Sequence, residues 1–237
     1  MPQLRLDRLL SQATDLSRKQ AKIEIRKKRV AINGEIVRDP TLLVDQDTLI
    51  QWNDELLGMP GPLYLMMNKP AGLVCAREDD IQATVMELLP EDVAERAHIV
   101  GRLDKDTTGL LLLTDDGDWS HRITSPKHGC AKVYEAELAE DLVADAEQRF
   151  AEGLQLRNED KPTRPAQLLR LGPRTVRVVL HEGRYHQVRR MFAALGNRVT
   201  VLHRCSVGAL VLDEQLNEGD WRELTEEERA LVFGTLG

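Results

Sequence analysis

The chain has 237 residues, 42% hydrophobic and 30% charged, with a formal net charge of −7. That length buries one large core, or one moderate core plus a small module, and a negative total taken alone argues against a nucleic-acid partner. The total hides an asymmetry, because residues 1–38 hold ten Lys or Arg against four Asp or Glu, +6, and the other 199 residues carry −13. A basic end on an acidic body suggests a docking module attached to something else.

The opening segment MPQLRLDRLL lacks the apolar core of a signal peptide, and no run approaches the roughly 20 apolar residues of a membrane span. Cys75, Cys130 and Cys205 are widely separated, and neither they nor the six histidines (98, 121, 128, 181, 186 and 203) show metal-ligand spacing. A soluble, cytoplasmic, monomeric protein with reduced thiols, no membrane partner and no metal is expected.

In chain order, Ser17 with Gln20 predicts a capping box and a helix from Arg18. Asn33-Gly34, between Val30/Ile32 and Ile36/Val37, predicts a hairpin. Arg18, Lys22, Arg26 and Arg29 recur at spacings of 4, 4 and 3 and so form one basic stripe, beside the apolar pair Ala21 and Ile25. Like charges at i, i+4 repel, and within the helix only Glu24 offsets them, so a polyanion is the natural counter-surface. GMPGP (58–62) reads as a linker, giving a module over 1–60 and a body over 61–237.

In the body, LYLMM (63–67), IVGRL (99–103), LLLL (110–113), KVYEAEL (132–138), VRVVL (176–180) and VTVL (199–202) read as strands. DIQATVMELL (80–89), DLVADAEQRFAEG (141–153), RYHQVRRMFAALG (184–196) and TEEERALVF (225–233) read as helices, the last capped by Thr225 and Glu228. The two types do not alternate strictly, which predicts an α+β fold with a mixed, largely antiparallel sheet. No phosphate-loop or dinucleotide fingerprint occurs, so no nucleotide cofactor is expected.

GRLDKDTTGLLLLTDDGD (101–118) poses the main chemical question, because it admits two readings. Asp104, Asp106 and Thr108 fit the D-x-D-x-T pattern of metal-dependent aspartyl-phosphate phosphatases. Alternatively GRLD is the working unit and Asp104 acts without a metal. NKPAG (68–72) supplies Lys69 at a turn, KVY places Lys132 and Tyr134 on one strand face, and EGRYHQVRRM (182–191) concentrates Arg184, His186, Arg189 and Arg190 where a strand gives way to a helix.

LDRLL, the SR-x-x-A-x-x-x-I-x-x-x-RV helix and INGE, over residues 4 to 55, resemble the S4 RNA-binding domain, a small module of helices followed by a hairpin. NKPAGLVC, GRLDKDTTGLLLLTDDGD, KVYEAEL and EGRYHQVRRMFAALGN, in this order behind such a module, resemble the S4-bearing pseudouridine synthases. Within them SHRITSP (120–126) and the EGRYHQV spacing look most like the RsuA group, which modifies small-subunit ribosomal RNA; a large-subunit target is the alternative within the family.

The resemblance implies a cofactor-free isomerisation of uridine in ribosomal RNA, with Asp104 as the catalytic carboxylate, acting at C1′, at C6 or as a base at C2′. It implies that Tyr134 lies against the uracil ring, that Arg189 pairs with Asp104 and that Arg102 fills the gap left by the flipped uridine. Arg18, Lys22, Arg26 and Arg29 would bind RNA. Lys132 and Arg184 would contact substrate, and Lys69 would shape the site or touch phosphate; a local basic patch of Arg102, Lys105, Arg122, Lys127, Lys132, Arg184, Arg189 and Arg190 is expected inside the acidic body. The readings outside the family are the phosphatase and a non-catalytic RNA-binding or ribosome-assembly factor.

Overall fold

The computed structural model describes residues 3–45, 48–58, 61–125 and 127–234; Met1 and Pro2 of the opening segment, Met59 and Pro60 of the expected linker and Pro126 of SHRITSP lie outside them. The chain divides into two compact units, Met1–Pro62 and Leu63–Gly237.

The first unit runs β1 (Gln3–Arg5), α1 (Leu6–Gln12), α2 (Arg18–Arg26), β2 (Val30–Ile32), β3 (Glu35–Ile36), β4 (Leu43–Asp45), β5 (Ile50–Trp52) and β6 (Glu55–Leu56). Ser17 caps α2 through the reciprocal capping box with Gln20, and Asn33 and Gly34 turn the β2–β3 hairpin with φ of 50° and 85°. Leu6, Leu9, Leu10, Ala21, Ile25, Val30 and Ile50 form its core.

The second unit runs β7 (Tyr64–Lys69), a 3-10 turn (Val85–Leu88), α3 (Glu91–Arg96), β8 (His98–Val100), β9 (Thr107–Thr114), α4 (Gly117–Thr124), β10 (Lys132–Leu138), α5 (Ala146–Glu152), β11 (Gln167–Arg170), β12 (Thr175–Leu180), α6 (Gln187–Ala194), β13 (Val199–Val207), β14 (Leu210–Val211), β15 (Trp221–Glu223) and α7 (Glu226–Leu231). Its sheet has the order β11-β12-β10-β13-β9-β7-β15, with β14 on β13 and β8 on β9. The β13–β9 pairing is parallel and the others are antiparallel, so the fold is the mixed, largely antiparallel α+β arrangement expected from the sequence.

The four leucines of β9 are apolar without alternation because both faces of that strand are covered. Leu111 and Leu113 pack with Leu65, Met67, Val85 and Met86 on one side. Leu110 and Leu112 pack with Met66, Trp119, Ile123 and Leu224 on the other. A third cluster, centred on Phe150 and Phe192, seats α5 and α6 on β10, β12 and β13.

All four helices expected in the second unit are shorter than their sequence patterns, the last by its end residues alone. Over 80–89 only Val85–Leu88 coils, as a 3-10 turn, because the Asp79 carboxylate accepts from the Ile81 and Gln82 amides at 3.0 and 2.8 Å and diverts the chain into a turn. Ahead of α5, the Leu142 amide donates to Pro173 O and Asp141 pairs with Arg174, which keeps 141–145 outside the helix. Ahead of α6, residues 182–186 form a turn. The sequence reading had no counterpart for α4, whose N-cap is Asp116, accepting from the Asp118 and Trp119 amides.

The loop between β8 and β9 carries Asp104, and it is held from beneath. Lys69, at the end of β7, is fully buried and donates from Nζ to the carbonyls of Pro70, Lys105 and Thr107 at 2.8, 3.1 and 2.9 Å. Arg204 of β13, only 2% exposed, donates to Leu110 O at 2.7 Å and Gly101 O at 3.2 Å. Gly109, at φ 100°, lets β9 lie against β13 there, since a Cβ would overlap the Arg204 carbonyl.

Lys69, expected to shape the site or touch phosphate, spends its three donors on backbone carbonyls. Lys69→Met keeps the apolar stem and removes the donors, so it should lower the stability of the second unit by about 2–4 kcal/mol, read by urea unfolding. RNA affinity of the folded variant should stay within about twofold; a tenfold loss of affinity with unchanged stability would make Lys69 an RNA contact.

Candidate active site

Asp104 stands one short turn before β9, with the Thr107 amide donating to its carbonyl at 3.1 Å. Its carboxylate faces a guanidinium and an imidazole from the start of α6: Oδ2 lies 3.7 Å from Nε of Arg189 and Oδ1 lies 3.4 Å from Nε2 of His186. The pairing of Arg189 with Asp104 inferred from the sequence is present, and Arg189 also donates to Val199 O at 3.2 Å, which fixes the guanidinium. His186 is a partner that sequence reasoning passed over, and its signal was adjacency to Arg189 across one helical turn.

The position of His186 is set by an unusual backbone. It occupies the left-handed region, φ 47° and ψ 38°, at the N-cap of α6, where a non-glycine residue is uncommon. The turn is knitted by Gln187, only 4% exposed, whose side chain accepts from the Arg184 amide at 2.8 Å and donates to Glu182 at 2.7 Å.

Asp104 opens into a cavity of about 320 Å³ lined by Arg102, Tyr134, Leu180, His186, Val188, Leu202 and Arg204 among others. Sites for small molecules begin near ~300 Å³, so this one suits a single base extruded from its stack. Tyr134 projects from the middle of β10, opposite Val178 on β12 and Arg204 on β13. It packs against two of the three core clusters and is still half-exposed to the cavity. Arg102 is exposed at the rim. A wider hollow of about 890 Å³ lies on the other sheet face, beside Val133 and Cys205, and no carboxylate lines it.

Other expected contacts are spent on structure. Lys132 donates to Ile123 O and Cys130 O at 3.3 and 2.8 Å, and burial pushes its pKa down. Arg184 donates to Lys161 O and Pro162 O at 2.8 and 2.6 Å and pairs with Glu159 and Glu182. Arg190 donates to Arg157 O and pairs with Glu159. The basic patch predicted for the body is thus reduced by these three. Asp115 and Asp116 are structural as well: Asp115 accepts from the Leu63 amide and pairs with Arg96, and Asp116 caps α4 and accepts from Tyr64 Oη.

Among the described residues no three His, Cys, Asp or Glu side chains group as metal ligands would.

In the first unit the stripe on α2 has a counter-charge that helix spacing did not reveal. Asp7 of α1 is fully buried and meets Arg5 at 3.0 Å, Arg18 at 3.5 Å and Lys22 at 3.6 Å. Burial pushes the Asp7 pKa up, but the hydrogen bond from Arg5 and the charges of Arg18, Arg5 and Lys22 outweigh it and hold the group below its usual value. Arg29 and Lys27 pair with Glu24 at 2.9 and 3.4 Å. Lys19 and Arg26 are exposed and have no ion-pair partner among the described residues.

Residues 63–194 match the family described as RNA pseudouridylate synthase, and residues 4–50 match the S4 domain. The chain is 50% identical over 231 residues to ribosomal small subunit pseudouridine synthase A of Yersinia pestis, covering 97% of this chain and 98% of the relative. It is 49% identical to the Escherichia coli K12 protein of the same name, covering 97% and 100%. A crystal structure of a pseudouridylate synthase superposes with a TM-score of 0.71 at 47% identity, covering 97% of this chain and 99% of the other. An S4 domain followed by a catalytic sheet with these matches places the chain in the RNA pseudouridylate synthase family, among RNA isomerases.

Proposed function

We propose that this chain converts one uridine of small-subunit ribosomal RNA to pseudouridine, the first unit docking the RNA and the second doing the chemistry. The substrate class rests on the two relatives named for the small subunit, each matched over nearly its whole length. Asp104 at the mouth of a base-sized cavity, with Arg189 facing one carboxylate oxygen and His186 the other, is the observation that carries the assignment of the site. Ribosomal RNA as substrate puts the work in the cytoplasm, and one chain holds the whole cavity, so a monomer suffices.

The reaction breaks N1–C1′, turns the base and joins C5 to C1′; C5 gives up a proton and N1 gains one. It is redox-neutral and transfers no external group. Attack at C1′, attack at C6 and proton removal at C2′ all require the Asp104 carboxylate, which Arg189 and His186 hold toward the cavity. Tyr134 offers its ring to the flipped uracil from the cavity floor, and Arg102 at the rim fills the space the uridine leaves. Arg189, paired with Asp104, orients the carboxylate without binding RNA.

Asp104→Asn retains shape but removes the charge, so single-turnover conversion of uridine in a small-subunit RNA fragment should fall by at least about a thousandfold, with RNA binding and melting temperature unchanged. Asp106→Asn should be far milder, because Asp106 is exposed and is not among the residues that line the cavity. Comparable inactivation by both, without unfolding, would favour the phosphatase reading.

For Arg189→Ala the rate should drop more than the affinity, and Arg189→Lys should keep part of the activity, since a point charge still pairs although the fixed guanidinium geometry is lost. Equal affinity losses at unchanged turnover would make Arg189 a phosphate contact.

Neutralising Lys19 and Arg26 to Gln spares the Asp7 cluster. It should weaken RNA binding and flatten the log–log salt dependence by about one unit per lost contact, measured by fluorescence anisotropy over a salt series. A collapse of the single-turnover rate at saturating RNA would instead tie the α2 stripe to catalysis.

A further inference from the structure

The three tyrosines of the chain have different fates. Tyr64 donates to Asp116 and meets Trp119 edge-on at 5.2 Å, while Tyr134 lines the cavity. Tyr185 is 74% exposed, an unusual state for so large a ring, and it sits at the cavity rim. Its ring is stacked on His186, with centroids 3.8 Å apart and planes 18° apart. One face is therefore covered by the residue that touches Asp104, and the exposure belongs to the other.

The segment beneath this ring is braced on both flanks. Arg184 ties the preceding residue to Lys161 O and Pro162 O. Arg190 donates to the Tyr185 carbonyl at 3.2 Å while holding Glu159 and Arg157 O. The left-handed backbone of His186 orients the stacked pair. The ring thus stands on a supported turn, and it also lines a second, open hollow of about 1020 Å³ alongside Arg157 and Arg190.

An open aromatic face on a rigid backing, at the rim of a cavity sized for one base, is a stacking platform for a nucleobase. We propose that Tyr185 stacks on a nucleotide of the substrate RNA flanking the target uridine, so that the bound strand is registered against Asp104 through the Tyr185–His186 pair. The inference rests on the isomerase reading above. It requires an aromatic ring and not a hydroxyl, because the Tyr185 hydroxyl makes no hydrogen bond among the described residues.

The test uses the full chain and a small-subunit RNA fragment containing the modified uridine. Half-saturating RNA concentration and maximal single-turnover rate are measured for wild type, Tyr185→Ala, Tyr185→Phe and Tyr185→Trp, with anisotropy and melting temperature in parallel. Tyr185→Ala should raise the half-saturating concentration roughly five- to hundredfold, the range of losing one base–aromatic stack. Phe and Trp should remain within about twofold of wild type, and melting should not move.

The RNA is then made abasic at one flanking position at a time. At the stacked position, removing the base and removing the ring should not add, because they delete the same contact. An unchanged half-saturating concentration for Tyr185→Ala, equal losses for Phe and Ala, or additivity at every flanking position would each overturn the platform while leaving the isomerase reading intact. Wild-type protein that binds the fragment but forms no pseudouridine would overturn both.

Discussion

The geometry of the active site depends on a cation that never reaches solvent. Lys69 spends its three N–H donors on the carbonyls of Pro70, Lys105 and Thr107, which ties the turn after β7 to the Asp104 loop and the start of β9. Burial pushes the Lys69 pKa down, against the pull of nearby carboxylates that include Asp106 and Asp104. Carbonyls stripped of water need donors, and Lys69 with Arg204 supplies them to the strands that meet there. The Asp104 side chain is in consequence displayed from a loop with few alternatives, toward Arg189 and His186 on a different element.

The positive charge of the second unit is sorted by burial. Lys69, Lys132 and Arg204 are internal or half-buried and bond carbonyls; Arg184 and Arg190 brace the turn before α6; Arg189 and His186 face the Asp104 carboxylate; Arg102 stays exposed at the rim. Of the cations expected to meet RNA in this body, Arg102, Lys105, Arg122 and Lys127 remain exposed, and the basic first unit would add to their salt-dependent affinity. Even there the supply is smaller than a helical wheel suggests, because Asp7 and Glu24 hold Arg18, Lys22, Lys27 and Arg29.

Much of this was legible in the residues. The capping boxes at Ser17 and Thr225 and the Asn-Gly hairpin are local signals, and local signals survive folding. The order of the motifs GRLD, KVY and HQVR carried the family. Apart from Arg189 with Asp104, which the family resemblance implied, pairing across distant elements could not be read. Asp7 sits eleven and fifteen residues from its partners Arg18 and Lys22, and Lys69 meets carbonyls thirty-six and thirty-eight residues away. A lysine beside a substrate-like motif looks like a ligand until its burial is known. The helix over 80–89 failed for a different reason: its apolar periodicity was outweighed by an Asp79 side chain that captures the next backbone amides. His186 was hidden because its importance comes from a left-handed backbone that sequence does not announce.

The central claim is that Asp104 performs an isomerisation on small-subunit ribosomal RNA. Its most direct test is a transcript-wide map of pseudouridines in ribosomal RNA from cells lacking this protein, with the wild-type chain or the Asp104→Asn chain restored. The account predicts that one small-subunit pseudouridine disappears in the deletion, returns with the wild-type chain and stays absent with Asp104→Asn at equal protein level. A map that does not change, a lost site in the large subunit, or restoration by Asp104→Asn would contradict it.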